Sequence, residues 1–423
     1  MLKPVYTSLL YGLSPLIWLW LARSSRQRGG ARMRRERRGH YGLAEADHPL
    51  WLHCASVGEV RTAAPLIHAL AAHRPGMPLL VTTATATGAE TAARVLPAAT
   101  RHAYLPLDWP GAVRRFLDAF QPRGAVILET EIWPNLYAAT AARGIPLVLA
   151  NARLSERTVE GATLIRRLQR EALTHVDRVF ARSDLDARRF ADFGVPTERL
   201  QTLGSLKLAP PATPPPDPFA FRRPALVAAS THDDEEIRIA HCWAEARKER
   251  DVPQLLVIVP RHPERGPAIR QSLQQAGFRV ALRSAGEDWQ WAEIYVADTL
   301  GELEAFMAGA ETVIIGGSLI RRGGQNLVEP ARLGKPILFG PHMSNFAEES
   351  ERLLAAGGAQ RFFDETDLRH AIAELARDPR GRREMGEQAA AAVQAAQDTA
   401  GVYAEAILTH IESRTDTAPS NRD

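Results

Sequence analysis

Short apolar runs alternate with helix-forming stretches along almost the whole chain, and this alternation constrains the fold more than any other feature. In the first half, the runs that predict β-strands are Leu50–His53, Leu79–Thr83, Ala125–Leu128, Pro146–Ala150 and Arg178–Ala181. In the second half, they are Ala225–Ala229, Gln254–Val259, Ile294–Val296, Thr312–Ile315 and Pro336–Phe339. The intervening stretches, such as Val60–Ala72 and Gly88–Val95, predict helices. Strand–helix–strand repeats with continuously apolar strands predict mostly parallel sheets that are covered by helices on both faces.

Two α/β domains are predicted, because 423 residues exceed what one core of ordinary size holds. The boundary is placed at residues 210–218, where six prolines in nine residues suit neither a helix interior nor a central strand. A surface loop inside one domain is the alternative interpretation of this stretch. We therefore predict an N-terminal Rossmann-like domain over 39–209, a linker over 210–224, a C-terminal Rossmann-like domain with a returning C-terminal helix over 225–413, and a disordered tail over 414–423. Two such domains are expected to face a central ligand cleft across the carboxyl ends of their strands.

Residues 1–38 predict a membrane-anchor helix followed by a basic collar. Residues 5–22 carry no charge, and their 18 residues are at the lower limit for crossing a bilayer. Eight arginines and one acidic residue follow between Arg23 and Arg38, which places the rest of the chain in the cytoplasm and attracts anionic lipids. Pro15 favours a kink, so that a single-pass helix and an interfacial helix both remain open. A cleaved signal peptide and a helix packed in a groove of the protein are the alternatives.

Charge and motifs disfavour several classes of function. The net charge is +3, but the chain outside the basic collar is slightly acidic, which argues against a nucleic-acid partner. Cys54 and Cys242 form neither a disulfide framework nor a metal pattern. The sequence contains no GxxxxGK[ST] loop, no GxGxxG after the first strand and no HExxH. A P-loop ATPase, a dinucleotide dehydrogenase and a zinc hydrolase are therefore disfavoured, and no metal site is predicted.

Glu59 is the first candidate for chemistry, because it lies just past the first predicted strand. Ser56 and Gly58 can shape a tight turn there, which would present the Glu59 carboxylate beside a helix start. A carboxylate in that place can remove a proton from an acceptor hydroxyl. The alternative is that Glu59 is only a favourable acid in a first helical turn.

A pair of acids and two cations follow later strands of the first domain. Glu129 and Glu131 point in the same direction if their strand continues, and their repulsion then needs a cationic or hydrogen-bonding partner. The alternative is a capped helix start with Pro134 in the first turn. Arg153 and Lys207 can face an acidic substrate, or they can be solvated surface cations.

Five polar or glycine-rich segments follow the strands of the second domain, at residues 230–232, 260–265, 298–303, 316–318 and 323–330. Glycine-rich turns let backbone N–H groups approach a phosphate. Arg261 can pair with a phosphate oxygen, Glu329 can accept hydrogen bonds from ribose hydroxyls, and a helix that starts near Asn326 adds its positive end. Together these segments predict a nucleotide site.

The motifs, in this order, resemble those of the 3-deoxy-D-manno-octulosonic acid (Kdo) transferases of lipid A biosynthesis, in the GT-B superfamily of glycosyltransferases. The resemblance covers nearly the whole chain, through SVGE at 56–59, ETEIWPN at 129–135, NARLS at 151–155, GSLK at 204–207, STH at 230–232, PRHPER at 260–265, DTLGEL at 298–303, GGSL at 316–319 and GPHMSNF at 340–346. It implies transfer of Kdo from CMP-Kdo to the lipid A precursor, a tetraacyldisaccharide 4'-phosphate, with inversion at the anomeric carbon. It further implies that the protein acts at the cytoplasmic face of the cell inner membrane and contacts membrane lipids through its N-terminal segment. It also implies that the reaction uses no metal ion and no cofactor besides the donor.

The resemblance also implies roles for single residues. Glu59 corresponds to the general base, and Glu129 and Lys207 correspond to groups that support the transition state. CMP contacts are implied at nine positions, namely Pro260, Arg261, Leu300, Gly301, Glu302, Asn326, Leu327, Val328 and Glu329.

Two departures from the family pattern and two rival functions remain. Gln325 stands where the family often has His, and STHDDEE at 230–236 stands where it has STHEGEE.

One rival is a GT-B transferase or epimerase that uses another nucleotide sugar, such as a UDP-sugar. The other is a membrane-tethered sensor of sugar nucleotides without catalysis.

Overall fold

A computed structural model describes residues 2–27, 29–42, 47–154, 161–210, 216–248, 252, 254–394 and 398–415. The described residues form two compact α/β units. Unit 1 contains the residues up to 210 together with 398–415, and unit 2 contains those between 216 and 394. Residues 211–215 of the predicted linker and residues 416–423 of the predicted tail lie outside the described residues.

The central strands of unit 1 lie in buried, mostly apolar segments, and the two edge strands are partly exposed. The strands are β1 (Leu50–His53), β2 (Leu79–Thr83), β3 (Arg101–Tyr104), β4 (Gly124–Leu128), β5 (Leu147–Ala152), β6 (Arg178–Ala181) and β7 (Leu200–Thr202). As far as the chain is described, all pair in parallel in the order β3-β2-β1-β4-β5-β6-β7. Every residue of β1, β2, β4 and β5 is buried, because helices cover both faces of the sheet.

The described helices of unit 1 connect these strands or flank the sheet. They are α1 (Lys3–Gly12), α2 (Ser14–Gln27), α3 (Gly30–Glu36), α4 (Val57–His73), α5 (Ala86–Val95), α6 (Pro110–Phe120), α7 (Pro134–Ala141), α8 (Thr163–Leu173) and α9 (Asp184–Asp192). A last helix, which follows unit 2 in the chain and is named below, completes the unit.

Unit 2 repeats the arrangement with a sheet of its own. Its strands are β8 (Ala225–Thr231), β9 (Leu255–Pro260), β10 (Val280–Leu282), β11 (Ile294–Val296), β12 (Thr312–Ile315), β13 (Ile337–Phe339) and β14 (Ala359–Arg361). Within the described part, the parallel order is β10-β11-β9-β8-β12-β13-β14. The helices are α10 (Glu235–Ala246), α11 (Gly266–Gln275), α12 (Leu303–Gly309), α13 (Val328–Arg332), α14 (Ala347–Ala355), α15 (Glu365–Arg377) and α16 (Pro379–Gln394). The prediction of two parallel-sheet α/β domains is confirmed.

The N-terminal segment forms three helices instead of the one anchor helix that was predicted. Leu21 is buried with Met33 and Tyr104, and Trp18 stacks on Trp109 with ring centroids 5.4 Å apart, so that the segment packs on unit 1. No described helix is by itself both long and apolar enough to cross a membrane, whereas α1 and the Ser14–Arg23 part of α2 meet those criteria as a pair bent by 59°.

The region in which a returning C-terminal helix was predicted contains α16 and a separate helix α17 (Thr399–Thr415). Helix α17 belongs to unit 1, where Tyr403, Ile407 and Ile411 share a core with β1 and β4. The last helix therefore packs on the first sheet of the chain, and it ends at Thr415, one residue beyond the predicted start of the tail at 414.

Candidate active site

Glu59 lies in the first turn of α4, directly after β1. Its backbone N–H donates to the Ser56 Oγ that caps the helix, at 3.4 Å, and its carboxylate accepts the N–H of Ala55 at 2.7 Å and the hydroxyl of Ser56 at 3.2 Å. Burial raises the pKa of Glu59 to about 7; hydrogen bonds from Ala55 and Ser56 oppose this rise, and the charges of Glu129 and Glu131 add to it. A carboxyl group with a pKa near 7 can take up a proton at neutral pH, as a general base must.

Glu129 and Glu131 lie in the turn after β4, which emerges at the same edge of the sheet because β1 and β4 pair in parallel. Glu129 has a left-handed backbone, with a φ of +57°, and its Oε2 lies 3.4 Å from Nε of Arg153. The carboxylate of Glu131 accepts the indole N–H of Trp133 at 3.0 Å, and burial raises its pKa. Arg153 thus supplies the cation that the acidic pair was expected to need. Helix α7 begins at Pro134, which agrees with the alternative interpretation of this segment as a helix start.

A buried arginine from the basic collar faces this acidic turn. Only 6% of Arg37 is exposed, and its Nη1 donates to the carbonyl of Leu105 at 3.1 Å. Burial lowers the pKa of Arg37 to about 10, against the opposing charges of Tyr41 and Glu131. This role could not be predicted from the sequence, because nothing in the arginine run distinguishes Arg37 from its solvated neighbours.

Lys207 lies in a short 3₁₀ turn, Leu206–Leu208, which contacts α4. Asn151, with a φ of +52° at the end of β5, accepts the N–H of Leu206 through its Oδ1 at 3.0 Å. The hydroxyl of Tyr403 donates to the carbonyl of Gly204 at 2.9 Å. These contacts hold the GSLK segment at the carboxyl edge that carries the three glutamates. Ser155, the last residue of the NARLS motif, lies outside the described residues.

Pro260 and Arg261 lie at the carboxyl edge of the unit 2 sheet. Pro260 is the last residue of β9, and the N–H of Arg261 donates to the carbonyl of Thr231 at 2.9 Å. The side chain of Arg261 is exposed and makes no hydrogen bond to another described residue. It is therefore available to an anionic ligand.

The segment after β11 contains a second group of predicted CMP residues. Leu300 is 84% exposed, and Gly301 has a φ of +88° that a residue with a side chain rarely adopts. Glu302 is engaged by Arg283, with an ion-pair distance of 2.6 Å, and by the hydroxyl of Thr299. The hydrogen bond from Arg283 lowers the pKa of Glu302, so that this carboxylate is ionised and fixed.

The start of α13 contains the third group. The amide of Asn326 donates to Glu329 Oε1 at 3.0 Å, and its Oδ1 accepts the N–H of Val328 at 3.0 Å. The side chains of Leu327 and Val328 are fully buried in the core. Those two residues can therefore meet a ligand only through their backbones, whereas Asn326 and Glu329 offer side chains.

Glu235 is a buried carboxyl whose role the sequence analysis missed. It accepts the backbone N–H groups of His232 at 2.9 Å, Gly317 at 2.6 Å and Leu319 at 3.1 Å, and thereby ties the glycine-rich turn after β12 to α10. Gln325, which replaces the usual His of the family pattern, lies 3.0 Å from Nε2 of His232 through its amide nitrogen. Burial and nearby arginines lower the pKa of His232, which fits a neutral ring that accepts this hydrogen bond.

Each unit thus brings its own predicted residues to the carboxyl edge of its sheet. In unit 1 these are Glu59, Glu129 and Lys207, and in unit 2 they are the nine predicted CMP positions. Over the described ranges, no three His, Cys, Asp or Glu side chains come close enough to coordinate a metal ion.

Similarity to known proteins identifies the family. A family model described as 3-deoxy-D-manno-octulosonic-acid transferase (kdotransferase) matches residues 32–209. The 3-deoxy-D-manno-octulosonic acid transferase of Bordetella pertussis is 38% identical over 92% of this chain and 95% of its own. The chain belongs to the Kdo transferase family. The transferase of the same description from Haemophilus influenzae is 33% identical over 90% of this chain and 92% of its own.

The enzyme is therefore a glycosyltransferase that transfers Kdo, and its two parallel-sheet units resemble the GT-B fold. A solved structure of UDP-GlcNAc 2-epimerase from Neisseria meningitidis, bound to UDP-GlcNAc, matches with a TM-score of 0.60. The match covers 85% of this chain and 100% of the epimerase, with 13% sequence identity. At that identity the similarity shows the fold and says nothing of the ligand.

Proposed function

We propose that the enzyme transfers Kdo from CMP-Kdo to the lipid A precursor, a tetraacyldisaccharide 4'-phosphate, with inversion at the anomeric carbon and with Glu59 as general base. The observation that carries the proposal is the environment of Glu59. Its carboxyl is half-buried at the carboxyl edge of the unit 1 sheet, its pKa is raised to about 7, and two further carboxylates lie at the same edge. Such a group is poised to accept a proton at neutral pH.

The proposed reaction is a single displacement. The carboxylate of Glu59 removes the proton of the acceptor hydroxyl while that oxygen attacks the anomeric carbon of Kdo. A new glycosidic C–O bond forms, the bond between the anomeric carbon and the phosphate oxygen breaks, and CMP leaves with its electron pair. Glu129 and Lys207 support the charge that develops on the sugar and on the leaving phosphate. No metal ion or further cofactor takes part in this scheme.

In this proposal unit 2 holds the CMP part of the donor. Support comes from the exposed cation of Arg261, the exposed Leu300 beside Gly301, and the Asn326–Glu329 pair at the start of α13. Arg261 would pair with the phosphate, and Glu329 would accept hydrogen bonds from the ribose. Glu302 would act through its fixed position and the backbone beside it, because Arg283 already engages its carboxylate.

We also propose that the enzyme works at the cytoplasmic face of the inner membrane with α1 and α2 lying in the interface. Support comes from an apolar face, which we define as Val5, Leu9, Leu13, Leu16 and Leu19, all at least half exposed. The arginines of the collar follow this face directly, and a basic segment beside an exposed apolar one is typical of binding to an anionic membrane surface. Vesicle flotation tests this association.

The decisive experiment compares purified enzyme with its Glu59→Ala variant. Mass spectrometry after incubation with CMP-Kdo and the lipid acceptor is expected to detect Kdo addition by the wild type and a loss of at least about a hundredfold in the variant, because general-base catalysis contributes that much. Calorimetric binding of CMP is expected to be unchanged. The matched control is Glu90→Ala, which removes an exposed glutamate of α5.

Three outcomes would contradict parts of the proposal. Normal transfer by Glu59→Ala would exclude Glu59 as the base. Tighter binding of UDP than of CMP would exclude CMP-Kdo as the donor and favour another nucleotide sugar. Loss of transfer on treatment with EDTA would show that the reaction needs a metal ion.

A further inference from the structure

Asp108, a buried carboxyl outside the predicted catalytic residues, caps the helix that follows the acidic turn. It lies after β3, and only 5% of it is exposed. Its Oδ2 accepts the N–H of Asn135 at 3.0 Å, and its Oδ1 accepts the N–H of Leu136 at 2.8 Å. Because the first N–H groups of a helix lack partners inside the helix, this contact fixes where α7 begins.

The acidic turn is held between that capped helix and the end of β4. The backbone carbonyl of Glu131 accepts the hydroxyl of Tyr137 at 2.8 Å, and Trp133 donates to the carboxylate of Glu131 at 3.0 Å. Both aromatic residues belong to α7 or to its N-cap. A change in the position of the α7 start would therefore move Glu131 relative to Glu59.

Two adjacent residues of α1, Tyr6 and Thr7, lie beside the Asp108 and Asn135 side chains of this cap. The hydroxyl of Thr7 can donate to Oδ1 of Asn135, at 2.9 Å, or to the backbone carbonyl of Lys3. The phenol of Tyr6 lies near the carboxyl of Asp108, and burial together with the charge of that carboxylate raises the pKa of Tyr6. The amide of Asn135 in turn donates to the backbone carbonyl of Asp108 at 2.8 Å, which closes the network.

We propose that α1 is a positioning element of the active site and not only a surface helix. Thr7 donates to the side chain of Asn135, Tyr6 lies beside the carboxyl of Asp108, and the cap that Asp108 and Asn135 form holds the turn of Glu129 and Glu131 in place. A buried polar group that loses a hydrogen-bond partner must be hydrated or must move, and either change loosens the start of α7. The inference rests on the proposed function, since it takes the acidic turn as part of the catalytic site.

The test is the double variant Tyr6→Phe/Thr7→Val in the full chain, with the acceptor dispersed in detergent so that docking on a membrane does not limit the rate. We expect kcat to fall about tenfold with KM for CMP-Kdo unchanged, because a small displacement of a catalytic group costs rate. Amide hydrogen exchange is expected to become faster over residues 129–137. The matched control is Tyr11→Phe, which removes an exposed hydroxyl from the same helix.

The outcomes separate this inference from the proposed function. Unchanged exchange over residues 129–137 would show that α1 does not order the turn. Faster exchange with an unchanged kcat would show that the order of the turn does not matter for transfer, and either result would overturn the inference. Absence of Kdo transfer by the wild type would instead refute the proposed function, while the exchange data would still decide whether α1 orders the turn.

Discussion

Among the residues that the structure describes, three other than glycine adopt a left-handed backbone where a strand ends. Glu129 follows β4 with a φ of +57°, Asn151 lies at the end of β5 with +52°, and Ser230 lies at the end of β8 with +58°. Such a conformation costs on the order of 1–3 kcal/mol, so it persists only where surrounding contacts enforce it. Here Glu129 donates its N–H to Ala150, and Asn151 holds the N–H of Leu206. The strain lies where both units carry their candidate functional residues.

Replacing Glu129 with Gln tests the electrostatics of the proposed base. Glu59 must be deprotonated to act, so kcat/KM is expected to rise with pH through its pKa of about 7. Removing the neighbouring negative charge favours the ionised form of Glu59 and lowers its pKa. The rising limb of the pH profile should then move to lower pH by about half a unit to one unit, even if the maximal rate falls.

The control for this measurement is Glu198→Gln, which neutralises an exposed carboxylate elsewhere in unit 1. Its pH profile should match that of the wild type. A limb that stays in place or moves to higher pH in Glu129→Gln would contradict the assignment of that limb to Glu59.

The site residues that could be predicted from the sequence lie in motifs that follow strands, whereas buried charges outside those motifs could not. Glu59 and Lys207 follow strands in motifs that a reader can locate without a structure. Arg37, Asp108 and Glu235 were missed, although each is at least 94% buried and fixes a neighbour of the site. The role of a buried charged residue becomes clear only when its hydrogen-bonding partners are known. The partners of these three residues lie on distant segments or on other turns.

Among the secondary-structure elements, the central strands were predicted from the sequence and the edge strands were not. The unpredicted strands β3, β7, β10 and β14 are the outermost strands of the two sheets. Three of these four are partly exposed, as in β7, where Gln201 and Thr202 face solvent. A strand that is covered on fewer sides has no continuous apolar run, and the signal that marks a parallel strand is then absent.

The N-terminal helices carry a prediction about membranes. We expect the wild type to float with vesicles that contain anionic lipid and to float less with zwitterionic ones. The double variant Leu16→Ser/Leu19→Ser removes two side chains that are 65% and 61% exposed, and it should bind anionic vesicles at least about tenfold more weakly, because each buried leucine contributes more than 1 kcal/mol.

Leu185→Ser is the matched control, since Leu185 is an exposed leucine of α9 outside the apolar face. Equal binding by all three proteins would refute the interfacial role of α1 and α2. Equal binding of the wild type to anionic and zwitterionic vesicles would refute the role of the basic collar.

At the scale of the whole molecule, the last helix of the chain completes the first unit. Helix α17 buries Tyr403, Ile407 and Ile411 against the sheet of unit 1. Gly124, at the start of β4, leaves room for Ile411, because a Cβ at that position would lie 2.6 Å from its Cδ1. Unit 1 is therefore built from both ends of the sequence, and its core depends on residues that follow unit 2.

Replacing Ile407 with Ala tests this dependence. Ile407 is fully buried, and the cavity should cost about 2–5 kcal/mol of unfolding free energy. Urea unfolding measures the loss, and hydrogen exchange should show that the amides of β1 and β4 lose protection. Val402→Ala, which truncates an exposed side chain of the same helix, should change the free energy by less than about 0.5 kcal/mol. A small effect in Ile407→Ala would mean that α17 contributes little to unit 1.

The alternation of apolar strands with amphipathic helices is enough to predict that the chain forms two parallel α/β units. Its ordered motifs also pointed to the family and to the candidate residues at the strand ends. Three features are visible only in the folded protein, namely the strands at the sheet edges, the packing of α17 on unit 1, and the burial of Arg37, Asp108 and Glu235 beside the sites. The spacing of apolar residues along a strand or helix shows which of its faces are buried, so it can be read from the local sequence. The partner of a buried charge lies on another segment of the chain, and the local sequence does not specify that segment.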